Sequence, residues 1–105
     1  MVQEINVDNF DEAVINADKL TVVDFFATWC GPCRKLGPIL EEVEAELGDR
    51  VHFRKIDTDD NIDAAKEYQV SGLPTLLVFK DGEVVERMVG LMPKSSIITN
   101  IEKHL

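Results

Sequence analysis

Apolar and polar positions change period several times along the 105 residues, and each change marks an element. Val2–Asn6 reads as a short strand. Asn9 with Glu12 three residues on makes a capping box, and Phe10, Ala13, Val14 and Ala17 behind it share one helical face. Leu20–Ala27 is a near-continuous apolar run rich in β-formers, the pattern of a central strand buried on both faces. Leu36, Ile39, Leu40, Val43 and Leu47 then form a helical stripe, with Glu41, Glu42, Glu44 and Glu46 covering much of the remainder. Pro32 suits the first turn of that helix, Pro38 should kink it, and Gly48 closes it.

Val51–Asp57 reads as the next strand, and Asn61–Tyr68 as a short helix capped near Asp59 or Asp60. Thr75–Lys80 and Glu83–Val89 are strands joined by Asp81-Gly82, a tight-hairpin signal. A last amphipathic helix runs from Pro93 to Leu105, with Ile97, Ile98, Ile101 and Leu105 inward. The resulting order is βαβαβαββα. Its alternating first half implies parallel pairing and its final hairpin antiparallel pairing, so an α/β fold with a mixed sheet and helices on both faces is expected.

Composition alters this picture little. The length fits one domain, residues 1–105, and 45% hydrophobic with 30% charged residues is ordinary for a globular chain. Eleven basic against twenty acidic residues give a net charge of -9, which argues against nucleic acid or an anionic membrane as partner. The opening MVQEINVDNF has no basic n-region and no long apolar stretch follows it. A cytoplasmic location is therefore expected.

The two cysteines, Cys30 and Cys33, are separated by only two residues. A structural disulfide framework needs more cysteines or a longer loop, so the spacing points to redox exchange or to half a metal site. A structural zinc wants about four protein ligands. His52 and His104 are the other soft candidates, and neither has metal-ligand spacing. The redox reading is preferred, with no metal and no bound cofactor.

Cys30 falls between a strand end and a helix start, where unpaired N–H groups and the helix dipole favour a thiolate. It is the expected nucleophile. Cys33, one turn inward, is expected to be more buried and to resolve the mixed disulfide. Gly31 allows close approach of a partner backbone, and Pro32 stiffens the loop. Asp24 interrupts the apolar run six residues before Cys30. Either the strand is less buried than it looks, or Asp24 is a buried proton acceptor below the thiols that acts as base on Cys33. Lys55 either partners Asp24 or is a solvated lysine on the sheet face. Pro74 opens a β-rich stretch, and its position alone does not establish a cis bond.

The segment Val23-Asp24-Phe25-Phe26-Ala27-Thr28-Trp29-Cys30-Gly31-Pro32-Cys33 closely resembles the active-site segment of the thioredoxin family. Further matches follow in order: Pro38, Lys55, Asp57, Gly72-Leu73-Pro74-Thr75, Gly82 and Gly90. The resemblance covers essentially the whole chain.

It implies a thioredoxin fold, a central mixed five-stranded sheet flanked by four helices. It also implies that Cys30 attacks, Cys33 resolves, Asp24 is the buried acid and Lys55 its partner. Pro74 matches a cis-proline that faces the disulfide. Trp29, Gly31, Pro32, Leu73, Gly90 and Leu91 match an apolar apron where partners dock. Phe26, Arg34, Gly37 and Thr58 depart from the common pattern without removing a catalytic role.

The Gly-Pro pair between the cysteines resembles the reducing branch of the family. That branch implies a monomeric protein-disulfide reductase whose electrons come from NADPH through a flavin-containing thioredoxin reductase. They leave to ribonucleotide reductase, peroxiredoxin or methionine sulfoxide reductase. A non-catalytic binding or assembly subunit using the same face is the alternative, and so is a dedicated partner in a single pathway. The intact cysteine pair favours the reductase.

Overall fold

The apolar run beginning at Leu20 becomes the centre of the molecule because it is covered on both faces. The computed structural model describes residues 1–105. Five strands, β1 (Gln3–Ile5), β2 (Leu20–Phe26), β3 (Val51–Asp57), β4 (Thr75–Lys80) and β5 (Glu83–Val89), form one sheet in the order β1-β3-β2-β4-β5. β1 and β2 both pair parallel with β3, whereas β4 pairs antiparallel with β2 and with β5. Around the sheet lie a short π-helical segment (Asp11–Ile15), α1 (Gly31–Leu47), α2 (Ile62–Glu67) and α3 (Lys94–Glu102). The expected mixed sheet with four flanking helices is present.

Side-chain alternation along the strands divides the interior into two cores. On one face Val22, Phe53, Leu76 and Val78 pack with Leu36, Leu40 and Val43 of α1 and with Ile97 and Ile101 of α3. On the other, Val23, Phe25, Ile56, Leu77 and Phe79 pack with Phe10, Val14 and Ala64. Tyr68 seals that second core, with its ring centroid 5.4 Å from Phe10 and 5.3 Å from Phe79. Asp24 continues the Leu20–Val22 alternation and so faces the α1 side, where the cysteine pair begins the helix.

Several expectations are corrected. The strand expected at Val2–Asn6 is shorter, and the one expected to reach Ala27 ends at Phe26. The capping box does not form. Asn9 Oδ1 accepts from Asn6 N–H at 2.8 Å, closing the preceding turn, and the segment behind it is wound with a five-residue bond from Asn16 N–H to Asp11 O. Neither Asp59 nor Asp60 caps α2. Its flanking residue Asn61 is buried and ties two strand ends together, accepting from Val7 N–H and donating to Asp57 O, both at 2.9 Å.

The last helix stops at Glu102, and Leu105 is 49% exposed rather than inward. The turn after Glu102 abandons the helical register that would have pointed it at the core. The hairpin is as expected, with Asp81 and Gly82 both at positive φ, 52° and 83°.

Candidate active site

β2 ends at Phe26, and after a three-residue connection Cys30 occupies the N-cap of α1. Its backbone is extended, at φ -87° and ψ 112°, as an N-cap requires. Pro32 sits in the first turn, where its missing N–H is no loss. The Cys30 sulfur accepts the N–H of Cys33 at 3.2 Å, doing what a Ser or Asp oxygen does at other helix starts. The two cysteines are joined as a disulfide. A helix N-terminus and a donated N–H both stabilise negative charge on the Cys30 sulfur once the bond is reduced.

The expected burial difference between the cysteines is absent: Cys30 is 5% exposed and Cys33 6%. What separates them is the space each adjoins. Cys30 lines an open depression with Trp29, Gly31, Pro32, Thr58 and Leu73. Cys33 lines a different cleft, shared with Asp24, Phe26, Gly37 and Lys55. The two cysteines therefore border different clefts.

Asp24 is 4% exposed, and its Oδ1 has no hydrogen-bond partner. Burial pushes its carboxyl up from 3.8 to about 7, against a smaller opposing pull from Lys55. The less-buried reading of this strand is thereby corrected. Lys55 stands beside Asp24 in the parallel register but makes no ion pair with it. Its ammonium lies over the Phe26 ring, 5.8 Å from the centroid, and acts on Asp24 only through its charge.

The Leu73–Pro74 bond is cis. Pro74 is buried, and its carbonyl accepts Gly90 N–H at 2.8 Å, which joins the start of β4 to the end of β5. Trp29, Gly31, Pro32 and Leu73 come together around Cys30. Leu91 is 44% exposed beside Gly90, and neither of these two lines the depression.

Val70 and Ser71 line it and were missed by sequence reasoning; their adjacency to Leu73 was the only signal. Asp59 was also misassigned. Its Oδ2 accepts the Trp29 indole N–H at 2.7 Å and so holds the ring beside the disulfide. No cluster of His, Cys, Asp and Glu of metal-binding size exists.

Comparison with known proteins agrees with this geometry. The family described as Thioredoxin matches residues 1–103. A thioredoxin of Chlamydia pneumoniae is 50% identical over 104 residues, spanning 99% of each chain. One of Chlamydia trachomatis serovar D is 48% identical over 104 residues, again 99% of each. One of Bacillus subtilis (strain 168) is 47% identical over 89 residues, 85% of this chain and 86% of its own. The chain belongs to the thioredoxin family, and it is a dithiol–disulfide oxidoreductase acting through Cys30 and Cys33.

Proposed function

We propose that the protein reduces disulfides in partner proteins, with Cys30 as the attacking thiol and Cys33 as the resolving one. The Cys30 thiolate attacks one sulfur of the partner disulfide. A Cys30–partner disulfide forms and the partner's other sulfur leaves as a thiolate. The Cys33 thiolate then attacks the Cys30 sulfur, giving the Cys30–Cys33 disulfide and the partner's second thiolate. Two electrons pass to the partner, and both its thiolates are free to take protons.

The observation that carries this order is the split of the two cysteines between two clefts. Cys30 opens on the depression lined by Trp29, Gly31, Pro32 and Leu73, where a partner segment has room. Cys33 opens on the cleft holding Asp24, whose unpartnered Oδ1 and raised pKa suit it to take the Cys33 proton near neutral pH. Lys55 acts at longer range as a positioning residue, by tuning that carboxyl. Pro74, Gly90 and Leu91 complete the docking apron in this reading, as backbone that an extended segment pairs against.

Electrons reach the Cys30–Cys33 disulfide from NADPH through a flavin-containing thioredoxin reductase. They leave to ribonucleotide reductase, peroxiredoxin or methionine sulfoxide reductase. Residues 1–105 act as one domain and as a monomer. A cytoplasmic location suits a chain whose only cysteines form an exchangeable pair. Reduction of insulin disulfides by dithiothreitol tests the activity. Turnover well above the dithiothreitol blank is expected, and none above it overturns the proposal.

A further inference from the structure

Val70, Ser71 and Leu73, which line the depression beside Cys30, belong to a loop that leaves α2 through an unfavourable turn. Gln69 N–H donates to Lys66 O at 3.1 Å and Val70 N–H to Ala65 O at 2.8 Å, the paired bonds of a Schellman ending. Such an ending calls for a left-handed residue at its turning point, most often glycine. Here Gln69 takes that place at φ 55°, where a side chain is strained.

Arg87 of β5 reaches this turn. Its Nη2 donates to Tyr68 O at 2.6 Å and its Nη1 to Gln69 O at 3.5 Å, so one guanidinium spans the two carbonyls that flank the Gln69 α-carbon. β5 and β4 hold the rest of the loop. A side-chain carbon added at Gly72 would lie 3.5 Å from Val89 Cγ1. The Thr75 hydroxyl donates to Gly72 O at 2.6 Å, and Gly90 N–H donates to Pro74 O at 2.8 Å. The far end of the loop is thus fixed from the sheet, and the near end by a single side chain.

We infer that Arg87 is a positioning residue for partner docking, which bridges the Tyr68 and Gln69 carbonyls and so sets where Val70, Ser71 and Leu73 stand beside Cys30. The inference rests on the docking reading above and adds the residue that keeps the docking loop in place. Arg87 is exposed and lines neither cysteine's cleft. Without it the two carbonyls return to water, and only the helix-end bonds hold Gln69 in its left-handed turn. A partner segment must then order the loop as it docks, and that cost falls on the attack step. A disulfide too small to lean on the loop reacts as before.

Arg87→Met removes the donors and keeps an unbranched stem. Second-order rate constants are measured for the reduced protein with insulin and with bis(2-hydroxyethyl) disulfide, which presents little beyond its sulfurs. The variant should reduce insulin about threefold more slowly, the loss expected of one exposed charge-assisted hydrogen bond, and the small disulfide at the parent rate. The insulin loss should persist in about 0.3 M salt, which separates it from the change in net charge. Amide exchange over residues 70–73 should quicken in the variant while that of β2 keeps the parent rate. Leu73→Ser, which alters the depression itself, is the reference and should slow insulin in the same selective way.

An unchanged insulin rate in Arg87→Met, with Leu73→Ser slowed, would overturn the inference and leave the docking reading intact. A loss abolished by salt, or shared equally by the small disulfide, would do the same. If Leu73→Ser reduces insulin as fast as the parent, the docking reading falls and the inference falls with it.

Discussion

Replacing Asp24 by Asn should stabilise the protein, and by an amount that grows with pH. Asp24 is 4% exposed in the middle of β2, and burial pushes its carboxyl from 3.8 to about 7. In the unfolded chain the proton leaves near the lower value. Between the two values the folded protein holds a proton that the unfolded chain has lost, so stability falls as pH rises through that window and levels off above about 7. The interval from 3.8 to about 7, at 1.36 kcal/mol per pKa unit, sets a ceiling of about 4 kcal/mol.

Asn has no such titration. Its own cost, a buried amide without a full set of partners, does not change with pH. The stability difference between Asp24→Asn and the unmodified protein should therefore increase by roughly 3–4 kcal/mol between about pH 4 and pH 8. Urea unfolding of both oxidised proteins across that range measures it directly. A difference that stays flat with pH would refute the reasoning, and so would a variant less stable than the parent at pH 8. The same substitution should slow release of the partner from the mixed disulfide at neutral pH, because Asn cannot take the Cys33 proton.

Cys30→Ser should abolish insulin reduction, whereas Cys33→Ser should accumulate mixed disulfides visible on non-reducing gels, and the opposite pattern would reverse the assigned order of attack. Gly37→Ala should raise the urea midpoint, because a Cβ there meets nothing within 4 Å in the interior of α1. The helix-propensity gain of about 1 kcal/mol is reduced to roughly half by crowding against Pro38, and a lowered midpoint would contradict it. Gly82→Ala should cost about 1–2 kcal/mol, since φ is +83° and the new Cβ would lie 3.2 Å from Ile15 O; an unchanged thermal midpoint would refute this.

The residues legible in the sequence were those whose signal is local. The apolar run from Leu20, the stripe through Leu36, Leu40, Val43 and Leu47, and the Asp81-Gly82 turn each announce an element through neighbours a few residues apart. Each formed where expected, within a residue or two at the ends. The Cys30–Cys33 spacing carried its chemistry in the same way, since a helix start and a resolving thiol one turn on are both short-range facts. Asp24 stood out for the same reason, as one polar position in an apolar period.

Side chains whose partners lie far along the chain were not legible. Asn9 and Asn61 have the composition of helix caps, yet one closes a turn with Asn6 and the other bridges Val7 and Asp57. Asp59 has the same appearance, and it binds a tryptophan thirty residues away. Lys55 has a carboxylate neighbour across the strand and still prefers an aromatic face.

Local pattern thus determined the elements, the central strand and the reactive pair, because periodicity and backbone preference act over one or two turns. Tertiary structure decided the strand order β1-β3-β2-β4-β5, the separate clefts given to Cys30 and Cys33, and the partner of each polar side chain. Those choices depend on distances between segments that are remote in the chain, and a hydrogen-bonding side chain takes whichever donor or acceptor folding brings within about 3 Å of it.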